Sequence, residues 1–152
     1  MRLADKVAIV SGAASGMGAA TARLFAREGA RVVIADVLAP EGRKVAEAIG
    51  AAARFESLDV TSEESWAAVV AATTRHFSKL DVLVNNAGIS GSAEQDFYST
   101  EAWHRIMAVN ATGVFFGIKH AIPALIANGG RFNRQSVVDR RSHRQRARPH
   151  GV

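Results

Sequence analysis

The chain has 152 residues, 48% of them hydrophobic, and no cysteine; this composition predicts one globular domain and excludes disulfides and thiolate metal sites. The net charge of +5 is concentrated at one end, because residues 1–128 hold 12 Lys and Arg against 13 Asp and Glu, whereas residues 129–152 hold seven Arg and one Asp. The five histidines show no metal-ligand spacing and no run approaches the length of a membrane span, so we expect no metal, no membrane insertion and a cytoplasmic protein.

A glycine-rich turn follows the first predicted strand, Lys6–Val10, and leads into a helical pattern over Ala19–Glu28. A turn of this kind leaves backbone N–H groups facing outward at the positive end of the helix dipole, where a pyrophosphate is stabilised. Glycines allow the phosphate to approach the backbone closely. The predicted cofactor-binding residues of the turn are Gly12, Ser15, Gly16, Met17 and Gly18. A loop that only packs helix on strand is the structural alternative.

An acid ends the second predicted strand, Arg31–Asp36. Asp36 lies 18 residues beyond Gly18, about where a dinucleotide fold places the carboxylate that binds the ribose hydroxyls. A carboxylate repels the 2′-phosphate of NADP, and no Lys or Arg stands beside it in the loop or after the strand. We therefore expect NAD to be preferred over NADP.

The remaining elements continue the alternation of helix and strand. A helix is predicted from about Pro40 to Ile49, ended by Gly50, and a strand over Ala53–Leu58. Thr61 is predicted as the N-cap of the next helix, with Glu64 completing a capping box. That helix ends near His76 and turns one apolar face inward, formed by Trp66, Val69, Val70 and Thr73.

The fourth strand is predicted over Leu80–Val84, followed by a polar loop over Ile89–Tyr98. Ser99 or Thr100 caps a long helix, Glu101 to about Ala127, which Pro123 bends near its end. Four βα units predict an α/β fold with a Rossmann-like doubly wound parallel sheet, incomplete at its C-terminal end. Residues 1–130 form this domain, and residues 131–152 form a basic tail that we expect to be disordered.

Polar residues follow the later strands, where ligands bind in open α/β sheets. They are Asp59 with Val60, and Asn86, Ala87 and Gly88. Asp59 also fits a cap of the next turn, and the Asn-Gly segment also fits a plain turn. Asn110 lies on an otherwise apolar helix, which predicts a buried amide that must be hydrogen-bonded, as a helix-kinking residue or as a site residue.

Together these motifs resemble the short-chain dehydrogenase/reductase family over about residues 5–128. The resemblance implies cofactor binding by the glycine turn, ribose binding by Asp36, adenine contact by Asp59 and Val60, and a cofactor role for the segment after strand four. Asn110 resembles the helix asparagine of the catalytic group. The family activity is hydride transfer between nicotinamide and a small alcohol or ketone, with a tyrosine as acid/base, a lysine that lowers its pKa, and a serine.

The chain departs from this pattern after residue 130. It has one tyrosine, Tyr98, with Ala102 four positions later, and no lysine after Lys119, so the Tyr-x-x-x-Lys motif is absent. Ser136 lies about one residue before the position expected for the family serine, and its neighbours differ from those in the family strand. Codons for Arg131 to Arg140, read one nucleotide out of frame, permit Gly-Ser-Ile-Val-Asn-x-Ser-Ser, the strand of the family. This pattern suggests a frame slip near Gly130 in a gene for a longer dehydrogenase.

Three functions stay open from the sequence. The first is an NAD-dependent dehydrogenase or reductase, and the second is a truncated, inactive dinucleotide-binding fragment. The third is nucleic-acid binding by the five arginines of residues 140–148, which the absence of stacking aromatics and of a known module disfavours. In the family the long helix often packs between subunits, so a homo-oligomer is expected only for a complete chain.

Overall fold

The computed structural model describes residues 1–90 and 99–128. The predictions for most of the polar loop, for Ser136 and for the basic tail 131–152 lie outside these residues. The sheet has four strands, β1 Val7–Ser11, β2 Arg31–Asp36, β3 Ala53–Ser57 and β4 Val82–Val84. All pairs are parallel and the order is β3-β2-β1-β4. The predicted Rossmann-like parallel sheet is thereby confirmed, and the described chain holds part of it.

Helices connect the strands and cover both faces of the sheet. They are α1 Gly16–Arg27, α2 Ala39–Ile49, α3 Glu63–Phe77, α4 Thr100–Met107 and α5 Gly113–Ala127. One π-helical turn, Ala108–Thr112, joins α4 to α5 without a break. The chain thus forms the single long helix predicted from about Glu101 to Ala127, and it continues past Pro123 to its predicted end.

The strands separate two hydrophobic cores, because successive side chains of a strand point to opposite faces. Ile9 and Val33 face the α3 and α5 side, where Trp66 is fully buried. Val10 and Ile34 face the α1 and α2 side. The predicted inward face of α3 is confirmed, since all four of its residues are buried. β1 and β2 therefore read as continuous apolar runs, as expected of strands covered on both faces.

An ion-pair cluster joins α3 to α5. The Oε1 atom of Glu63 contacts the Nζ atom of Lys119, and it lies 3.0 Å from Nε2 of His120. These hydrogen bonds, from Lys119 first and His120 second, hold the pKa of Glu63 below its ordinary value. The cluster is partly exposed, so it contributes little to stability compared with the core beneath it.

The N-cap of α3 differs from the sequence expectation, and the N-cap of α4 is one of the two residues expected. The N-cap of α3 is Ser62, whose Oγ accepts a hydrogen bond from Ser65 N–H at 3.1 Å, so the prediction of Thr61 was wrong. Thr61 instead donates through its hydroxyl and its N–H to Oδ1 of Asp59. At α4, Ser99 is the cap and accepts from Ala102 N–H at 3.0 Å.

The expectation that no run approaches membrane-spanning length was wrong for one segment. Among residues 1–90 and 99–128, the helix Thr100–Ala127 is long and apolar enough to cross a membrane by length and composition alone. Core helices of soluble proteins pass the same test. This helix contacts α3 and β4, but within the described residues only 17% of its apolar window is buried.

Candidate functional site

The candidate site lies at the carboxyl ends of the parallel strands. β1 and β2 end at Ser11 and Asp36, and β4 ends at Val84 beside β1. The loops that follow these three strands are therefore neighbours, although they are far apart in the sequence. In open α/β sheets this edge is where ligands bind.

The glycine turn begins the helix earlier than predicted. α1 starts at Gly16 rather than at Ala19, so the end of the motif is itself the first turn of the helix. The first N–H groups of a helix have no acceptor within the helix. Ser15 stands at the N-cap with extended backbone, but its side chain makes no capping hydrogen bond, in contrast to the caps of α3 and α4. The N-terminus of α1 is therefore not closed by its own cap.

Each glycine of the turn has a different structural requirement. Gly12 has φ +64°, and a Cβ there would lie 2.7 Å from Cα of Ala87. A Cβ on Gly18 would overlap with the carbonyl oxygen of Gly12. Gly16 has φ +54°, and a Cβ there would meet no heavy atom within 4 Å. Two glycines thus allow close backbone packing, and the third faces open space.

Asp36 lies against the same turn. Its Oδ2 atom accepts a hydrogen bond from Ala14 N–H at 2.9 Å, and its Oδ1 atom accepts from Leu38 N–H at 3.0 Å. The carboxylate is half-buried and fixed in position by these two bonds. The structure therefore brings the predicted ribose acid and the predicted phosphate turn together. The exposed neighbours of Asp36 along the chain, Val37 and Leu38, carry no charge.

The segment after β4 is fastened to the glycine turn. Asn86 donates through Nδ2 to the carbonyl oxygens of Ser11 at 3.0 Å and Gly12 at 3.1 Å. The buried hydroxyl of Ser11 accepts from the N–H groups of Asn86 and Ala87, and it donates to Val84 O. Asn86 thus pins the backbone of the turn. Ser11, the last residue of β1, is the hub of this contact.

Asn110 lies within the π-helical turn and is exposed, so the prediction of a buried amide was wrong. Both polar atoms of its side chain are nevertheless hydrogen-bonded: Oδ1 accepts from Ile89 N–H at 2.9 Å and Nδ2 donates to Ile89 O at 2.8 Å. A Cβ on Gly88 would lie 3.3 Å from Oδ1 of Asn110. π-turns of this kind are frequent at functional sites.

Asp59 and Val60 already have structural partners. Asp59 is exposed and forms a local turn with Thr61, as the alternative reading of a cap expected. Val60 is buried, and its carbonyl oxygen accepts from Nε1 of Trp66 at 3.2 Å. Both residues lie just past the carboxyl end of β3. Their contact with adenine stays a prediction.

Two participants were missed by sequence reasoning. Ser11 could have been found as a small polar residue that ends an apolar strand, a position where a buried hydroxyl needs partners. Ile89 contributes only backbone atoms, for which the sequence offers no signal. Within residues 1–90 and 99–128, no group of three or more His, Cys, Asp or Glu side chains could hold a metal ion.

Comparison with known proteins agrees with this geometry. The model of the short chain dehydrogenase family matches residues 6–136. The chain is 48% identical over 138 residues to trans-4-hydroxycyclohexanecarboxylate dehydrogenase of Sinomonas cyclohexanicum, covering 85% of this chain and 53% of that protein. It is 47% identical over 121 residues to 3-alpha-(or 20-beta)-hydroxysteroid dehydrogenase of Mycobacterium bovis, covering 80% and 46%. It is 44% identical over 123 residues to rice momilactone A synthase, covering 79% and 45%. The chain spans about half the length of these curated relatives.

Proposed function

The chain belongs to the short-chain dehydrogenase family of oxidoreductases, and from that premise we propose that it binds NAD at the carboxyl edge of its sheet. The open space at Gly16, beside the uncapped start of α1 and the fixed carboxylate of Asp36, is the observation that carries the proposal. When bound, the nicotinamide cofactor supplies the acceptor or donor of a hydride.

Each residue of the site has a defined task in this proposal. The N–H groups at the start of α1, around Gly16 and Met17, bind the pyrophosphate. Asp36 accepts hydrogen bonds from the adenosine ribose, and its charge disfavours the 2′-phosphate of NADP. Asp59 and Val60 line the adenine side. Ala87 and Gly88 line the other side of the site. The methyl group of Ala87 and the missing side chain of Gly88 leave room for the cofactor.

Asn86 and Asn110 act through the backbone in this scheme. Asn86 fixes the carbonyl groups of Ser11 and Gly12, and Asn110 fixes Ile89. Both keep the loops at the cofactor in place before it binds, which lowers the entropic cost of binding. Asn110 is the residue of the described site that the family resemblance connects with catalysis.

The activity of the family is hydride transfer between a nicotinamide cofactor and an alcohol or ketone, and we propose this activity for the present site. The names of the relatives refer to hydroxy compounds, and we extend this class, a small molecule with a secondary hydroxyl group, to the present chain. We place the protein in the cytoplasm and expect neither membrane nor nucleic acid as a partner.

A second candidate function is cofactor binding without turnover. The observation that favours it is that these 152 residues contain no Tyr-x-x-x-Lys motif and that the last lysine among them is Lys119. No side chain of the described site replaces the tyrosine hydroxyl as a proton donor to the substrate oxygen. Under this alternative the chain binds NAD but forms no NADH.

Calorimetric titration of the chain with NAD, NADP and ADP-ribose tests cofactor binding. We expect NAD and ADP-ribose to bind with similar affinity and NADP to bind at least tenfold more weakly, and no heat with any of the three would refute the proposal. A second assay follows NADH formation from a panel of cyclic secondary alcohols. Binding without turnover identifies the second candidate, and turnover identifies the first.

A further inference from the structure

The first residue of α5 lies against the segment that follows β3. Gly113 is buried, and a Cβ on it would lie 2.9 Å from the carbonyl oxygen of Val60 and 3.1 Å from its Cβ and Cγ2 atoms. These distances are shorter than an ordinary van der Waals contact of a Cβ atom. The backbone of α5 therefore packs directly on Val60, at a distance that a side chain on Gly113 would increase.

The backbone conformation of Gly113 does not itself require glycine. Its φ and ψ angles are −59° and −39°, which is ordinary helix. Glycine is a poorer helix former than alanine, because it loses more conformational freedom on folding. The space between α5 and Val60, and not a special backbone conformation, is therefore what requires glycine at this position.

Val60 is the more firmly held side of this contact. Its carbonyl oxygen accepts a hydrogen bond from Nε1 of Trp66 at 3.2 Å, and both residues are buried, Trp66 completely. The π-helical turn that precedes Gly113 contains no buried residue. A change in the distance between α5 and Val60 should therefore be accommodated mainly by a displacement of the π-helical turn.

The π-helical turn contains the residue that holds the loop after β4. Asn110 lies three positions before Gly113, and its side chain forms hydrogen bonds with both the N–H and the carbonyl group of Ile89. Residues three positions apart in a helix are neighbours on its surface. The position of Gly113 on Val60 therefore determines where Asn110 stands relative to Ile89.

We propose that Gly113 is a positioning residue of the cofactor site, because its contact with Val60 places the π-helical turn so that Asn110 holds Ile89. The contact connects the loop after β3 with the loop after β4, two strands at opposite ends of the described strand order. The effect on NAD rests on the proposed function, whereas the link from Gly113 to Ile89 concerns the protein alone.

Hydrogen exchange of the Ile89 amide, measured by NMR, tests the link without any cofactor. This N–H group donates to Oδ1 of Asn110 at 2.9 Å, so its exchange rate reports on that hydrogen bond. In Gly113→Ala the new Cβ should displace the π-helical turn, and we expect Ile89 to exchange about tenfold faster. Calorimetry should show that the same variant binds NAD about tenfold more weakly, because the loop loses its fixed position.

Gly42→Ala is the matched control, since it also adds a Cβ to a buried helix glycine, where the Cβ would overlap with the ring of Phe55. Phe55 packs on the α1 and α2 side of the sheet, whereas α5 lies on the other side. We expect Ile89 exchange and NAD affinity equal to those of the parent chain. Urea denaturation of both variants separates a general loss of stability from a local change at Ile89.

Val60→Ala tests the same contact from its other side and introduces no overlap. It removes the Cγ2 atom that faces Gly113, so we expect faster exchange of Ile89, and this variant provides the test if Gly113→Ala does not fold. A double mutant tests the role of Asn110 as the connection. In the Asn110→Ala background, Gly113→Ala should weaken NAD binding no further, because the two changes act through one interaction.

Three results would overturn the proposal. The first is exchange of Ile89 at the parent rate in Gly113→Ala, or in Val60→Ala if the former does not fold. The second is equally fast exchange in Gly42→Ala, which would indicate a general loosening of the domain. The third is faster exchange in Gly113→Ala with the NAD affinity of the parent. A parent chain that binds no NAD would instead refute the proposed function, and the exchange rates would still test the link to Ile89.

Discussion

Asn110 and Ile89 form a reciprocal pair in which one side-chain amide satisfies both peptide groups of a loop residue, at 2.9 and 2.8 Å. The pair connects the π-helical turn to the segment that follows β4. Because Ile89 comes directly after Gly88, the position of this loop at the candidate site depends on the helix.

Removing this pair should loosen the loop without unfolding the domain. We expect Asn110→Ala to lower the free energy of unfolding by about 1 kcal/mol, since the side chain is exposed and water replaces part of the lost interaction. NAD affinity should fall about tenfold because the loop loses its fixed position. Urea denaturation and calorimetry measure the two effects. His104→Ala, an exposed change on the preceding helix, is the control, and equal effects of the two variants would contradict the prediction.

The two glycines at the start of α1 should respond differently to alanine. In Gly18→Ala the new Cβ overlaps with backbone of Gly12, which cannot move freely, so we expect a loss of about 1–3 kcal/mol in unfolding free energy. In Gly16→Ala the Cβ points into open space, and only the positive φ contributes, about 1–2 kcal/mol. Gly16→Ala should fold but lose NAD binding, because its Cβ occupies the approach of the phosphate. NAD affinity equal to that of the parent chain would refute this assignment.

Asp36 should determine the choice between the two cofactors. Asp36→Asn removes the negative charge and keeps one oxygen that can accept from a backbone N–H. We expect NAD to bind about tenfold more weakly, because charge-assisted hydrogen bonds to the ribose are lost, while NADP binds no more weakly than before. Calorimetry with both cofactors measures the ratio. Glu41→Gln removes a charge from an exposed position of α2 and should leave the ratio unchanged. An unchanged ratio in Asp36→Asn would contradict the ribose role.

Acid stability should depend on Asp81, at the opposite end of β4. Burial by itself raises the pKa of this carboxyl, but the hydrogen bond from Val7 N–H and the neighbouring Lys79 and Lys6 together hold the pKa below 3.8. A depressed pKa contributes stability that is present above 3.8 and is lost as the pH falls through the folded-state value.

The corresponding measurement is urea denaturation between pH 7 and pH 2.5. The free energy of unfolding of the parent chain should decline as the pH falls below about 4. In Asp81→Asn the decline should be smaller, from a lower value at neutral pH. Glu47→Gln, at an exposed position of α2, should decline like the parent. Identical pH profiles for all three proteins would show that Asp81 makes no such contribution.

Much of the fold followed from local patterns in the sequence. β2 has the predicted bounds, Arg31–Asp36, because a strand buried on both faces reads as an unbroken apolar run. Thr61 and Ser62 are both good caps, and the choice of Ser62 depends on Asp59, which binds the Thr61 hydroxyl. The capping preferences of single residues do not predict which of Thr61 and Ser62 becomes the cap.

The site was predictable in its parts but not in its connections. Asp36 and the glycines carry signals in the type and spacing of their residues. The hydroxyl of Ser11 gains its role from a strand that lies more than 70 positions later in the chain, where it meets Val84 and Asn86. Asn110 was expected to be buried because its helical neighbours are apolar, but it lies in a π-helical turn and is exposed. Contacts of high sequence separation are what the sequence alone leaves undetermined.

In the proposed cofactor site, recognition at the turn around Gly16 relies on main-chain atoms, whereas Ser11 and Asn86 hold the preceding backbone in place. The exposed Ser15 can therefore change over evolution while the turn keeps its shape, whereas Ala13 and Ala14 are buried and leave little room for a larger side chain. The internal serine and asparagine have no such latitude, since each serves several partners at once. Among diverged relatives, we expect substitutions at exposed residues of the turn and conservation of Ser11 and Asn86.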